Sequence, residues 1–151
     1  MRGENKLLVL WIEDDPNDVF LVGRALKKAG VEPVHVCSNG EDAVDYLKGA
    51  APYEDRAQFP IPTLIVTDLK MPKCDGLDFL KWLRSHPLCR DIPVVVFSAS
   101  AEERDIAQAY RLGANAFFQK PMGLERIIEV VGKILDYWSE ARRPRAPEKC
   151  E

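Results

Sequence analysis

Histidine is scarce in this 151-residue chain, and neither of its two, His35 and His86, stands at a spacing that suits a metal site or a catalytic triad. Both are read as ordinary strand and loop residues. The four cysteines, Cys37, Cys74, Cys89 and Cys150, form no CxxC pair and have no histidines at ligand spacing, so they are expected to be free thiols in a reducing compartment. No apolar run approaches the ~20 residues that cross a bilayer, and residues 1–12 lack the basic start and cleavage site of a signal peptide. An excess of positive charge is also missing: the net charge is -3, which argues against a nucleic-acid or anionic-membrane binder. The expectation is a cytoplasmic protein whose partners are proteins or small molecules.

The chain does contain enough apolar sequence for one core. Apolar residues make up 46% and charged residues 30%, and a domain of this length buries roughly 70% of the surface its unfolded chain exposes. Five short apolar runs, 6–12 (KLLVLWI), 33–37 (PVHVC), 64–68 (LIVTD), 93–98 (PVVVFS) and 116–119 (AFFQ), read as strands, the longer ones buried on both faces. A helical pattern follows each one. Asp15 is read as the cap of the first helix, with entry into an acidic pocket beside Glu13 and Asp14 as the alternative, Pro16 at the first helical position, Asp18 in the first turn and Gly30 as the stop. Later helices are expected from Asn39-Gly40 onward, near 76–85, near 102–112 and over 124–140, the last with Leu124, Ile127, Ile128, Val131, Leu135 and Trp138 on one stripe.

Five strand-then-helix units require a parallel sheet, right-handed crossovers and helices on both faces. The expected fold is therefore α/β and doubly wound. Residues 49–62, polar and proline-bearing, are expected to form an exposed loop. Residues 1–140 make the domain, and 141–151 (ARRPRAPEKCE) are expected to be a disordered tail.

In such a sheet, ligands bind beyond the carboxyl ends of the strands. Glu13 and Asp14 stand at that end of the first strand, Asp68 of the third, Ser98 of the fourth and Lys120 of the fifth. Clustered acids repel, by about 4 kcal/mol for two charges ~4 Å apart at an effective dielectric of 20, and a hard divalent cation relieves this. Mg²⁺ suits carboxylates, a backbone carbonyl and a phosphoryl oxygen. Asp68 is then the candidate nucleophile toward phosphorus and Lys120 the cation that neutralises the transferring group.

The segments WIEDDP, VTDLKMPKCDG, VVVFSAS and GANAFFQKP, in that order and spacing, make the chain resemble the receiver domain of two-component response regulators over residues 6–140. The loop before the third strand and the long helix after DLKMPKCDG are similar to single-domain regulators of the phytochrome-associated type. The resemblance implies a flavodoxin-like three-layer sandwich with strand order 2-1-3-4-5. It implies transfer of a phosphoryl group from a histidine kinase, of the phytochrome type or another, or from a phosphotransfer protein, to Asp68, with Mg²⁺ as cofactor. The protein would be a phosphoprotein that catalyses its own modification.

Residue by residue, the resemblance makes Asp14 a direct metal ligand, Glu13 a ligand through water, and the main-chain carbonyl of Lys70 a further ligand. Ser98 matches the switch hydroxyl, Phe117 the aromatic that moves with it, and Lys120-Pro121 a peptide bond that is often cis. Glu13 replaces the commoner aspartate, and Phe117 the frequent tyrosine. Lys70 and Ser100 stand where the family tunes phosphoryl loss.

Signalling is expected to shift the surface formed by the helix near 102–112, the fifth strand and the last helix. No output module follows, so output is expected by docking to a protein or to a second copy of the chain. An alternative reading is a phosphorylation-independent adaptor. A phosphohydrolase is disfavoured by Lys70, which stands where its second acid would be, and a flavin domain by the absence of a phosphate loop after the first strand.

Overall fold

The computed structural model describes residues 6–151. The elements run β1 (Val9–Ile12), α1 (Pro16–Ala29), β2 (His35–Cys37), α2 (Gly40–Lys48), β3 (Leu64–Thr67), α3 (Gly76–Ser85), β4 (Val94–Ser98), α4 (Glu103–Arg111), β5 (Ala116–Gln119) and α5 (Leu124–Glu140). All strand pairs are parallel, in the order β2-β1-β3-β4-β5, the flavodoxin-like topology.

Alternation along the strands divides the core in two. Leu10, Ile12, Ile65, Val94 and Val96 face α2, α3 and α4, where they meet Leu47, Phe79, Leu80, Leu83 and Ala109. Val9, Trp11, Leu64, Val66, Val95 and Phe97 face α1 and α5, against Val22, Leu26, Ile127, Val131 and Ile134. Strands buried on both faces read as unbroken apolar runs for this reason. α1 begins and ends as its residues dictate: Asp15 accepts from the backbone of Asn17 and Asp18, Pro16 opens the helix, and Gly30 closes it in the left-handed region at φ 73°.

Arg84, in the last turn of α3, ties together the ends of the sheet opposite the acidic strand termini. Its guanidinium donates to the carbonyls of Gly113, Arg90 and Ile92 and to Asn115 Oδ1, which also accepts from Val94 N.

Four expectations are corrected. The segment 49–62 is not simply exposed: Tyr53 and Ile61 are buried and Phe59 is partly so, because Arg56 draws the loop back by donating to the carbonyls of Tyr46, Leu47 and Phe59. Cys89 and Cys150 form a disulfide with Cα atoms 5.6 Å apart, leaving only Cys37 and Cys74 as free thiols. Their separation of 61 residues hides this pairing from a reading of spacing.

Residues 141–151 carry no helix or strand but return along the molecule rather than fraying. Arg143 Nη1 donates to the carbonyl of Trp138, Ala146 packs on the core, and Pro144–Pro147 line one small cavity with Pro62, Thr63 and Ile92. Among the described residues the cis peptide bond is Ala51–Pro52, not Lys120–Pro121. No described helix is long and apolar enough to cross a membrane.

Candidate functional site

Parallel pairing puts the carboxyl ends of β1 and β3 side by side, with Ile12 opposite Thr67. The residues that follow them emerge together. Glu13 N bonds the carbonyl of Cys37 and Asp68 N that of Ile12, so each acid is held one step past its strand by a continuing ladder bond. Glu13 and Asp68 are buried, while Asp14 is partly exposed. Carboxylate oxygens of Glu13, Asp14 and Asp68 lie within 4.8 Å of one another.

Lys120 is delivered from the far side of the sheet. Its backbone N–H donates to the carbonyl of Ser98, one residue beyond the β4–β5 pairing, and its ammonium reaches back across to the acids. Lys120 Nζ donates to Glu13 Oε1 at 2.5 Å, Asp68 Oδ2 at 2.8 Å and Asp18 Oδ2 at 2.9 Å. Asp68 Oδ1 accepts from Leu69 N at 2.7 Å, which fixes the carboxylate plane. Three carboxylates sharing one ammonium cannot all be neutralised by it. Burial, opposed by Lys120 and reinforced by Asp68, pushes Glu13 up to about 7. Burial also works against the Lys120 ammonium, but its bonds to Asp68, Glu13 and Asp18 outweigh that and hold its pKa above the ordinary value.

The loop after Asp68 turns back sharply onto it. Lys73 and Cys74 both take positive φ, and Gly76 comes so close that an added Cβ would lie 2.1 Å from the Asp68 carbonyl oxygen. Only glycine permits this approach, and it lets Gly76 N close the turn on the carbonyl of Leu69.

Ser98 ends β4, buried, and its Oγ accepts from Ser100 N. Phe117 on β5, opposite Val96, is partly buried against the core. Asp15 is exposed and caps α1 instead of joining the acids. The side chain of Lys70 is exposed and lies 3.8 Å from Asp105.

Residues 9–132 match the response regulator receiver domain family. The chain belongs to that family. It is 31% identical to response regulator Rcp1 of Synechocystis over 134 residues, 88% of this chain and 89% of Rcp1. The Mn²⁺-bound structure of Rcp1 superposes with a TM-score of 0.80, covering 92% of this chain and 99% of that one. The structure of the phosphorylated cyanobacterial phytochrome response regulator RcpA gives a TM-score of 0.81 at 31% identity, over 92% of this chain and 99% of RcpA. RPA3017, a response regulator in red light signaling of R. palustris, gives 0.84 at 26% identity, over 93% of this chain and all of that one (100%). A receiver domain of two-component signalling, similar to phytochrome-associated single-domain regulators, is thus the setting for the acidic cluster.

Two polar residues of the receiver site escape a reading of the sequence. Asp18, legible as a first-turn acid suited to the helix dipole, also bonds Lys120. Asp105 in the first turn of α4 is buried, accepts from Ser100 Oγ at 3.0 Å and faces Lys70. A place in the first turn of the helix that directly follows Glu13 and Asp14 is the signal that points to Asp18. Nothing local marks Asp105 as buried.

Proposed function

We propose that this receiver domain is a phosphorylation switch in which Asp68 accepts a phosphoryl group from the phosphohistidine of a histidine kinase or phosphotransfer protein. The observation that carries this reading is the Lys120 ammonium bonded at once to Glu13 and Asp18, at the junction of β1 and α1, and to Asp68 after β3.

The donor set fits Mg²⁺: Glu13, Asp14 and Asp68 offer hard oxygens in one cleft, and the Lys70 carbonyl, two residues past the acceptor, would add a fourth. When bound, Mg²⁺ supplies charge neutralisation for phosphoryl transfer. Asp68 provides the attacking carboxylate oxygen, forming the acyl phosphate as the phosphorus–nitrogen bond of the donor breaks. Lys120 already bonds Asp68 Oδ2 and is placed to meet the negative charge brought in with the phosphoryl oxygens. The Ser98 hydroxyl donates to a phosphoryl oxygen afterwards.

Two contacts carry the change outward. Ser100, which follows Ser98, holds Asp105 of α4, and the backbone N–H of Phe117 donates to the hydroxyl of Tyr110 in the same helix at 3.0 Å. Movement of Ser98 and Phe117 therefore loads α4, whose only buried residues are Asp105 and Ala109. The exposed surface of α4, β5 and α5 is where a target protein or a second copy would dock.

Intact-protein mass spectrometry after incubation with Mg²⁺ and acetyl phosphate tests the reading. The expected result is the added mass of one phosphoryl group in the wild type and none in Asp68→Asn. An unmodified wild type would overturn it and favour the phosphorylation-independent adaptor.

A further inference from the structure

A second set of ligand-type side chains lies on the opposite side of β1 from Asp68. His35 and Cys37 alternate along β2 and so share a face. Asp42 joins them from the first turn of α2, whose cap Asn39 accepts from Asp42 N. Nitrogen, sulfur and oxygen ligand atoms of these three residues all lie within 4.8 Å of one another. Tyr53, buried at the turn of the 49–62 loop, places its hydroxyl 2.7 Å from Asp42 Oδ1 and 3.2 Å from His35 Nε2.

We propose that His35, Cys37 and Asp42, completed by the Tyr53 hydroxyl, bind a borderline-soft divalent cation of the zinc class.

The donor chemistry separates this site from the acidic cluster. A thiolate, an imidazole and a carboxylate form a zinc-type set, whereas magnesium takes oxygen alone. Charge closes as well: Cys37 thiolate and Asp42 carboxylate carry two negative charges, and a divalent cation leaves the partly buried site neutral.

Distance closes with small movements. A tetrahedral zinc site, with bonds of about 2.0–2.3 Å, sets its ligand atoms roughly 3.3–3.6 Å apart, so side-chain shifts of about an ångström suffice. The tautomer follows from the ligand set: a cation shared with the Tyr53 oxygen takes the His35 Nε2 lone pair, with the imidazole proton on Nδ1, and replaces the present contact between Nε2 and the Tyr53 hydroxyl.

The surroundings hold the ligands in place. The His35 ring stacks on Tyr46 and meets Tyr53 and Phe59 edge-on, while Arg56 anchors the loop that carries Tyr53. Cys37 is fully buried and His35 and Asp42 are partly exposed, so a cation enters past the imidazole and carboxylate. Without the cation, burial and the neighbouring Asp42 keep the thiol protonated, and binding releases that proton to solvent.

Cobalt(II) provides the test, because the acidic cluster can also take a divalent ion but only a cysteine gives thiolate-to-cobalt charge-transfer absorption. The full chain, free of added thiols, is titrated with Co²⁺ in anaerobic buffer containing excess Mg²⁺. The expected result is a near-ultraviolet charge-transfer band saturating at one ion per chain, displaced by Zn²⁺ and absent in Cys37→Ser. His35→Gln and Tyr53→Phe keep the thiol and serve if Cys37→Ser loses its far-ultraviolet dichroism. His35→Gln should weaken cobalt binding by about tenfold or more. Absence of the band in the wild type, its persistence in folded Cys37→Ser, or unchanged affinity in both His35→Gln and Tyr53→Phe would overturn the proposal. Asp68→Asn leaves the band intact, so failure here is distinguishable from failure at the phosphorylation site.

Discussion

Magnesium binding should depend on pH through Glu13. Its carboxyl, pushed up to about 7 by burial and by the charge of Asp68 against the pull of Lys120, is largely protonated at pH 6 and charged at pH 8. A cation bound by the acidic cluster favours the charged form, so uptake of the metal below pH 7 must expel a proton. For one linked proton, the apparent affinity falls by about tenfold from pH 8 to pH 6, or about 1.4 kcal/mol. The stability of the metal-free protein runs the other way. Between the ordinary value of 4.5 and about 7 the folded state binds the proton more tightly than the unfolded state. Glu13's contribution is therefore fully present below about 4.5 and is lost as pH rises through about 7. Isothermal titration calorimetry with Mg²⁺ at several pH values, in buffers of different ionisation enthalpy, reads both affinity and proton release. Glu13→Gln, which has no proton to lose, should flatten the slope. A wild-type affinity that is level from pH 6 to pH 8, or a slope that survives in Glu13→Gln, would refute the reasoning.

Two further outcomes follow from local geometry. Asp15→Ala removes the oxygen that accepts from Asn17 and Asp18 and should cost about 1 kcal/mol in urea unfolding, while phosphorylation by acetyl phosphate persists because Asp15 lies outside the acidic cluster. Gly76→Ala drives a methyl group into the Asp68 carbonyl and should cost about 1–3 kcal/mol in the same assay, with slower phosphorylation as the acceptor loop shifts; wild-type values for both would show that the turn gives way easily.

The parts of this molecule that could be read from its sequence are those set by periodicity along the chain. Buried parallel strands leave continuous apolar runs, helices leave stripes and caps, and the residue just past each strand must surface at one edge. That is why Glu13, Asp14, Asp68 and Lys120 can be placed together from the sequence alone. What stayed hidden depends on pairs remote in sequence. Cys89 meets Cys150 only because the tail returns, and Tyr53 and Phe59 become buried only because Arg56 finds carbonyls at the end of α2. Asp18 has a sufficient local role in the dipole of α1, which masked its bond to Lys120. His35 and Cys37 looked unremarkable because their companions, Asp42 and Tyr53, come from a helix and a loop.

The Arg84 clasp has a mechanical consequence for signalling. It grips the carbonyl of Gly113, just beyond the carboxyl end of α4, together with the start of β4. The opposite end of that helix hangs on Asp105, beside Ser100 and Lys70. One end is pinned and the other held by a single buried side chain, so under the proposed switch a rearrangement around Asp68 would tilt the helix about Gly113 instead of sliding it bodily. Target surfaces near Glu103 would then sweep through the largest arc, and those near Arg111 the smallest.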